Sequence, residues 1–177
     1  ADKNTDGSRF NILSAVISFS TAVKAEQNHI ESVGIITPYA AQVRLIRAML
    51  KDYYTKGTTN VSCATVHQFQ GSESDVIVFD AVESYPKSAV GYLMGKEPNQ
   101  VARLINVAIT RGKGKVITVA NVRFWENVFK GTNHIFYKLL QHIKNGKHQV
   151  IDNHDKTLQP YIESVNPGRM INIFMNE

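Results

Sequence analysis

Apolar and polar positions follow two different periods along the chain. From Asn11 to about Glu26, apolar side chains recur at helical spacing, which predicts an amphipathic helix with Asn11 as its N-cap. The same spacing predicts further helices at about residues 40–53, 100–109, 122–129 and 133–144. Between the helices lie apolar runs that are short and rich in β-branched residues, which indicates buried strands. These runs are residues 33–37, 61–64, 75–82 and 115–120.

Buried strands that alternate with helices are typical of a parallel sheet covered on both faces. The sequence therefore predicts an α/β fold with a mostly parallel sheet, formed by residues 1–147. After about Lys147 the periodicity is lost. Residues 148–177 are predicted to be a C-terminal tail or a linker to a further domain.

Composition narrows the class of protein. The length of 177 residues fits one domain, and the net charge of +5 favours an anionic partner such as nucleic acid or a nucleotide. Cys63 is the only cysteine and lies in an apolar run, so we expect a buried core residue and no disulfide. No apolar run reaches the ~20 residues of a membrane span, and the polar amino terminus lacks a signal-peptide segment. We therefore expect a cytoplasmic protein.

Polar segments flank the predicted strands. In open α/β sheets, ligands collect at the carboxyl ends of the strands, so we expect the polar segments to meet at that edge. They are residues 37–42, 65–75, 83–84 and 106–113. Taken alone, each is compatible with an ordinary surface loop. Arg111 and Lys113, near the end of a predicted helix, are also compatible with cations that complement the helix dipole.

Two of these segments have a distinctive order of residue types. One reads Thr65-x-His67-x-Phe69-Gln70-Gly71-x-Glu73-x-Asp75, and the other reads Arg103-Leu104-x-Asn106-Val107-Ala108-x-Thr110-Arg111. Together they resemble motifs V and VI of superfamily 1 helicases, in the branch of the nonsense-mediated decay helicase and its bacterial relatives. The stretch at residues 34–42 resembles the segment that precedes motif V in that branch. The resemblance covers roughly residues 7–120.

The resemblance implies a three-layer RecA-like domain of the P-loop NTPase type, namely the second, C-terminal half of an ATP-dependent motor. No Gly-x-x-x-x-Gly-Lys-[Ser/Thr] loop occurs in the chain. The partners implied are single-stranded nucleic acid and the amino-terminal RecA-like domain of the same motor. The cofactors implied are ATP and Mg²⁺, with the Mg²⁺ ligands expected from that amino-terminal half.

The resemblance also implies roles for individual residues. Arg111 would be the arginine finger, because a planar and permanently charged guanidinium can stabilise charge on the γ-phosphate. The other nucleotide-binding residues would be Glu73, Gly71 and Gln42, the last of which would also join loops together with Asn106. The nucleic-acid-binding residues would be Thr65, His67, Pro38, Tyr39 and Asn106.

The chain departs from the family pattern at two positions and leaves other interpretations open. Gly112 stands where the family usually has Ala after the finger arginine. The family often has an Asn-Arg pair at the start of the first helix, whereas Ile12 follows Asn11 here, so Arg9 is a candidate for the second phosphate-contacting arginine. The strand that ends at Asp80 resembles a Walker B strand. Without a P-loop before it, Asp80 is interpreted as a structural hydrogen bonder, and we expect no metal site.

A second hypothesis is a nucleic-acid-binding module that kept the fold and lost the motor. A third, a dinucleotide-binding domain, lacks the Gly-x-Gly-x-x-Gly fingerprint.

Overall fold

A computed structural model describes residues 2–3, 8–55, 57–87, 89–95 and 98–146. The predicted tail at residues 148–177 lies outside the described residues. Near the amino terminus, the short strands β1 (Asp2–Lys3) and β2 (Arg9–Phe10) pair antiparallel.

The central sheet has four parallel strands, as the apolar runs predict. They are β3 (Val33–Thr37), β4 (Val61–Thr65), β5 (Ser74–Asp80) and β6 (Gly112–Val119), arranged in the order β4-β3-β5-β6. The two inner strands, β3 and β5, are almost wholly buried, which explains their continuous runs of apolar residues. After β3 the chain turns towards β4, whereas after β5 it turns towards β6. The carboxyl ends of β3 and β5 therefore form a topological switch point.

Helices cover both faces of this sheet and give the predicted three layers. The described helices are α1 (Ile12–Gln27), α2 (Ala40–Tyr53), α3 (Tyr92–Gly95), α4 (Pro98–Ile109), α5 (Val122–Phe129) and α6 (Ile135–Asn145). One hydrophobic core joins α1 and α2 to the sheet, and a second joins α3 to α6 to its other side. The predicted N-cap Asn11 is confirmed, because its side chain accepts a hydrogen bond from the Ser14 amide.

Aromatic side chains of α5 and α6 lie in the second core, and Cys63 lies in the first, where its burial is confirmed. Phe124, Trp125 and Phe136 are fully buried in the second core. Cys63 is buried in the first, and burial raises the pKa of its thiol to about 12.

Two strand boundaries differ from the prediction by two residues or more. The run at residues 75–82 leaves the sheet after Asp80, and Val82 has a φ of 65°, a left-handed conformation that is rare for a β-branched residue and that ends the strand. The last strand begins at Gly112, three residues earlier than expected. The first residues of this strand pair irregularly with β5. No helix in the described part of the chain is long and apolar enough to cross a membrane.

Candidate functional site

The polar segments lie at both ends of the parallel strands. We call these ends the carboxyl edge and the amino edge of the sheet. The prediction that all the segments share the carboxyl edge is therefore wrong. Ser74 pairs with Gly112 at the amino ends of β5 and β6, and Asp80 pairs with Val119 at their carboxyl ends. Arg111 directly precedes β6 and therefore lies at the amino edge, because a residue before a strand meets that strand's amino end. The seven residues of β5 span roughly 20 Å at ~3.3 Å per residue, which separates the edges.

At the carboxyl edge, Gln42 is the centre of a buried hydrogen-bond network. Its Oε1 accepts from the Asn11 amide at 2.8 Å, and its Nε2 lies 3.0 Å from Ser14 Oγ and 2.6 Å from Asp80 Oδ2. The side chain has no exposed surface. These contacts join the start of α1 to the end of β5, which is a loop-joining role. A contact between Gln42 and a nucleotide stays a prediction.

Asp80 is a buried hydrogen-bond acceptor, as its interpretation from the sequence requires. Besides the bond from Gln42, its Oδ1 accepts from the Val82 amide at 3.0 Å. Burial raises the pKa of the carboxyl to about 6, although hydrogen bonds from Gln42, Ser14 and Val82 act in the opposite direction. Among the described residues, no group of three or more His, Cys, Asp or Glu could hold a metal ion.

Glu83 forms a second buried cluster beside this network. Its Oε2 lies 2.5 Å from Nη1 of Arg9, and its Oε1 accepts from the Tyr39 hydroxyl and, at 2.9 Å, from the Gly91 amide. Arg9 Nη1 also donates to the Ala89 carbonyl at 2.9 Å. Burial and the Glu83 charge raise the pKa of the Tyr39 phenol above its usual range. The cluster fastens the segment after β5 to β2 and to the loop after β3.

Sequence reasoning placed Glu83 in a polar segment but missed its role, because its partners Arg9 and Tyr39 are 74 and 44 residues away. The cluster does explain one residue type in the sequence, the glycine at position 91. A Cβ on Gly91 would lie 2.8 Å from Arg9 Nε and 2.9 Å from Glu83 Oε1 and would also meet the Tyr39 hydroxyl. Arg9, the candidate second phosphate-contacting arginine, is thus paired with a carboxylate at the edge opposite Arg111.

The predicted nucleic-acid residues differ in exposure. Pro38 and Tyr39 are buried, which leaves them little surface for a ligand, whereas Thr65 is half-buried and His67 is exposed. Thr65 and Gln68 bond reciprocally, each amide donating to the other's side-chain oxygen at 3.3 Å. Thr65 and His67 therefore begin the connection from β4 to β5 in an ordered turn. Their contact with nucleic acid stays a prediction.

The connection from β4 to β5 crosses over β3 and carries polar residues from one edge to the other. Phe69, in its middle, is buried, and a Cβ on Gly34 of β3 would lie 2.5 Å from Phe69 Cζ, so the ring rests directly on a glycine. Gly71 has a φ of 86°, and no atom lies within 4 Å of an added Cβ. The backbone conformation, and not a lack of space, therefore requires glycine at this position.

Two predicted nucleotide-binding residues, Arg111 and Glu73, lie together at the amino edge. The Arg111 carbonyl accepts from the Ser74 amide at 3.0 Å, which places Arg111 beside Glu73 at the start of β5. Lys113 Nζ lies 4.0 Å from Glu73 Oε2, and both side chains are more than half exposed. Among the described residues, no acceptor meets the buried Nε of Arg111. Asn106 is exposed in the last turn of α4.

One protein family and several individual proteins are similar to this chain. The profile of a family described as an AAA domain, AAA_12, matches residues 3–123. Helicase sen1 of Schizosaccharomyces pombe is 35% identical over 91 residues, which are 51% of this chain and 5% of that protein. DNA polymerase alpha-associated DNA helicase A of Saccharomyces cerevisiae is 38% identical over 91 residues, 51% of this chain and 12% of that protein.

A third relative comes from the nonsense-mediated decay branch. The Regulator of nonsense transcripts 1 homolog of Drosophila melanogaster is 36% identical over 98 residues, 51% of this chain and 8% of that protein. The chain thus spans between 5% and 12% of the length of these relatives.

The parallel sheet, its two helix layers and the order of the motifs define a RecA-like domain of the superfamily 1 helicases. The chain belongs to the AAA_12 family, and its relatives confirm the branch that the motifs indicate.

Proposed function

We propose that this chain is the second RecA-like domain of an ATP-dependent superfamily 1 helicase or translocase and that Arg111 is its arginine finger. The observation that carries the proposal is the amino edge, where Arg111 and Glu73 lie side by side and the buried Arg111 Nε has no acceptor in the described part of the chain. A buried donor without a partner is costly in a folded protein, so a rotation of the Arg111 side chain that brings this donor to an anionic ligand gains free energy.

The proposed ATP site lies between this edge and a second RecA-like domain that carries the Walker A loop. The residues present fit the phosphate end of a nucleotide, because Arg111 has a delocalised positive charge and no acceptor among the described residues meets its Nε. Mg²⁺, held by the other domain, would neutralise charge on the phosphates. Arg111 would add the donors that stabilise the γ-phosphate as charge develops on its oxygens.

The proposed nucleic-acid track lies at the carboxyl edge. Thr65 and His67 are the predicted contacts with accessible side-chain surface there. The named relatives support a nucleic-acid substrate, since they include a DNA helicase and a regulator of nonsense transcripts. The net charge of +5 also favours a polyanionic partner.

The test uses the full-length protein that contains this chain. Arg111→Ala is expected to lower nucleic-acid-stimulated ATP turnover by ~10³ or more, because the charge on the transferred phosphoryl group loses its partner. Binding of a single-stranded oligonucleotide should be nearly kept, because that track lies at the other edge. Arg123→Ala, at an exposed arginine of α5, is the matched control and should leave turnover unchanged.

An unchanged ATP turnover in Arg111→Ala would overturn the proposal and favour the nucleic-acid-binding module instead. A complementary measurement uses the 177-residue chain alone. Because the principal phosphate cradle would come from the other domain, Mg²⁺-dependent turnover by this chain should not exceed background.

A further inference from the structure

Strand β6 contains an irregularity next to Arg111. Ser74 pairs with Gly112 and Val76 pairs with Lys115, so two steps along β5 correspond to three along β6. The extra residue therefore lies in the pair Lys113–Gly114. A β-bulge of this kind bends the strand and re-aims a side chain, and bulges are common beside active sites.

The glycines on both sides of Lys113 allow this irregular pairing. A Cβ on Gly112 would lie 2.8 Å from Val116 Cγ2, and a Cβ on Gly114 would lie 3.0 Å from the Asp75 carbonyl oxygen. The second contact is with backbone, which cannot move aside at little cost. Gly114 therefore permits the close approach of β5 and β6, whereas Gly112 leaves room for the Val116 side chain of its own strand. Lys113 is the side chain that the bulge presents.

The surroundings of Lys113 indicate what this side chain meets. Its Nζ lies 4.0 Å from Glu73 Oε2, at the outer limit of an ion pair, and the two side chains are 57% and 55% exposed. An exposed pair at this distance contributes little to stability, so it exchanges readily for another anion. Arg111 is two residues away on the same edge.

We propose that Lys113 is a second phosphate-binding cation, which leaves Glu73 and contacts the phosphates of the nucleotide together with Arg111. The inference rests on the proposed ATP site and adds a residue to it. An ammonium group on a flexible stem is a compact point charge that suits phosphate, whereas the Arg111 guanidinium supplies directed donors. The bulge brings the two kinds of cation to one edge.

The experiment measures ATP turnover by the full-length protein at saturating single-stranded oligonucleotide. Lys113→Ala is expected to raise KM for ATP on the order of tenfold, as for loss of a charged hydrogen bond, and to leave kcat within about threefold. Lys113→Arg should recover most of the affinity, because it keeps the charge. The KM of Lys113→Ala should also depend less on salt than that of the unaltered protein, because one screened charge contact is lost.

Lys115→Ala is the matched control, since Lys115 is exposed on the same strand but pairs regularly with Val76. An equal rise in KM for Lys115→Ala would show that only the general positive field matters and would overturn the inference. An unchanged KM in Lys113→Ala would also overturn it. If Arg111→Ala abolishes turnover in that case, the proposed function stands, whereas unaffected turnover in Arg111→Ala would remove both.

Discussion

The two edges of one sheet use their polar residues in opposite ways. At the carboxyl edge, Gln42, Asp80 and Glu83 are at most 1% exposed, and each is bonded to other side chains. At the amino edge, Glu73 and Lys113 are more than half exposed and only loosely paired, and Arg111 keeps a buried donor without an acceptor in the described residues. The polar side chains at the carboxyl edge thus form hydrogen bonds with one another, whereas those at the amino edge retain hydrogen-bonding capacity for a ligand.

This difference qualifies the general rule that ligands of open α/β sheets bind at the carboxyl ends of the strands. The switch point between β3 and β5 is present here, but buried side chains occupy it. In the proposed motor, the nucleotide site lies between this domain and a second RecA-like domain. This domain contributes residues from its amino edge, at the opposite end of the strands from the switch point.

The largest effect on stability is expected from breaking the buried ion pair at the carboxyl edge. Arg9→Met would leave the Glu83 carboxylate buried without its cation, which should lower the free energy of unfolding by about 3–5 kcal/mol. Urea denaturation measures the change. Lys144→Met is the matched control, because it breaks an ion pair to Glu126 whose side chains are 54% and 29% exposed. That control should lose less than about 1 kcal/mol. Equal losses would mean that the carboxyl edge is not the closed region described above.

A smaller, pH-dependent effect is expected at Asp80. Burial raises the pKa of its carboxyl to about 6 from an ordinary 3.8, so the folded chain holds this proton more tightly than the unfolded chain does. Its contribution to the free energy of unfolding is therefore greatest below about pH 4 and decreases as the pH rises to about 6. Relative to Asp80→Asn, which does not titrate, the unaltered chain should lose on the order of 2–3 kcal/mol over this range. A difference that stays constant from about pH 4 to about pH 7 would contradict the buried environment of Asp80.

The smallest effect on stability is expected at the amino edge. Glu73→Gln removes one partner of the exposed contact with Lys113, so the free energy of unfolding should change by less than about 0.5 kcal/mol. Urea denaturation measures the free energy of unfolding of this variant and of Glu83→Gln. The second variant makes the same chemical change at a buried position, where it weakens the bond to Arg9. A loss at Glu73 as large as that at Glu83 would mean that the amino edge is a structural element and not an open site.

The sequence predicted the elements well because each depends on local periodicity. The helix at residues 40–53 and the strand at residues 33–37 lie as expected, since one exposes a polar face and the other is buried on both sides. Motif spacing also indicated the helicase branch, which the relatives confirm. These features are carried by neighbours in the chain.

Two features could not be read from the sequence, because each depends on residues that are distant in the chain. The edge at which Arg111 lies is different, because it follows from the position of Arg111 directly before a strand of a parallel sheet and was open to prediction. The Glu83 cluster joins residues 74 positions apart. The bulge at Lys113 exists only relative to the register of β5, and a Gly-Lys-Gly sequence alone gives no register.

The crossing from β4 to β5 has a mechanical consequence. This single short segment begins with Thr65 and His67 at one edge and ends with Glu73 at the other, and Phe69 fixes its middle against Gly34. A displacement at either end of this segment is therefore transmitted to the other end past the buried ring of Phe69. In the proposed motor, such a shared element makes the two binding equilibria thermodynamically linked. The coupling must be reciprocal, so that nucleic acid changes the affinity for nucleotide by the same factor that nucleotide changes the affinity for nucleic acid.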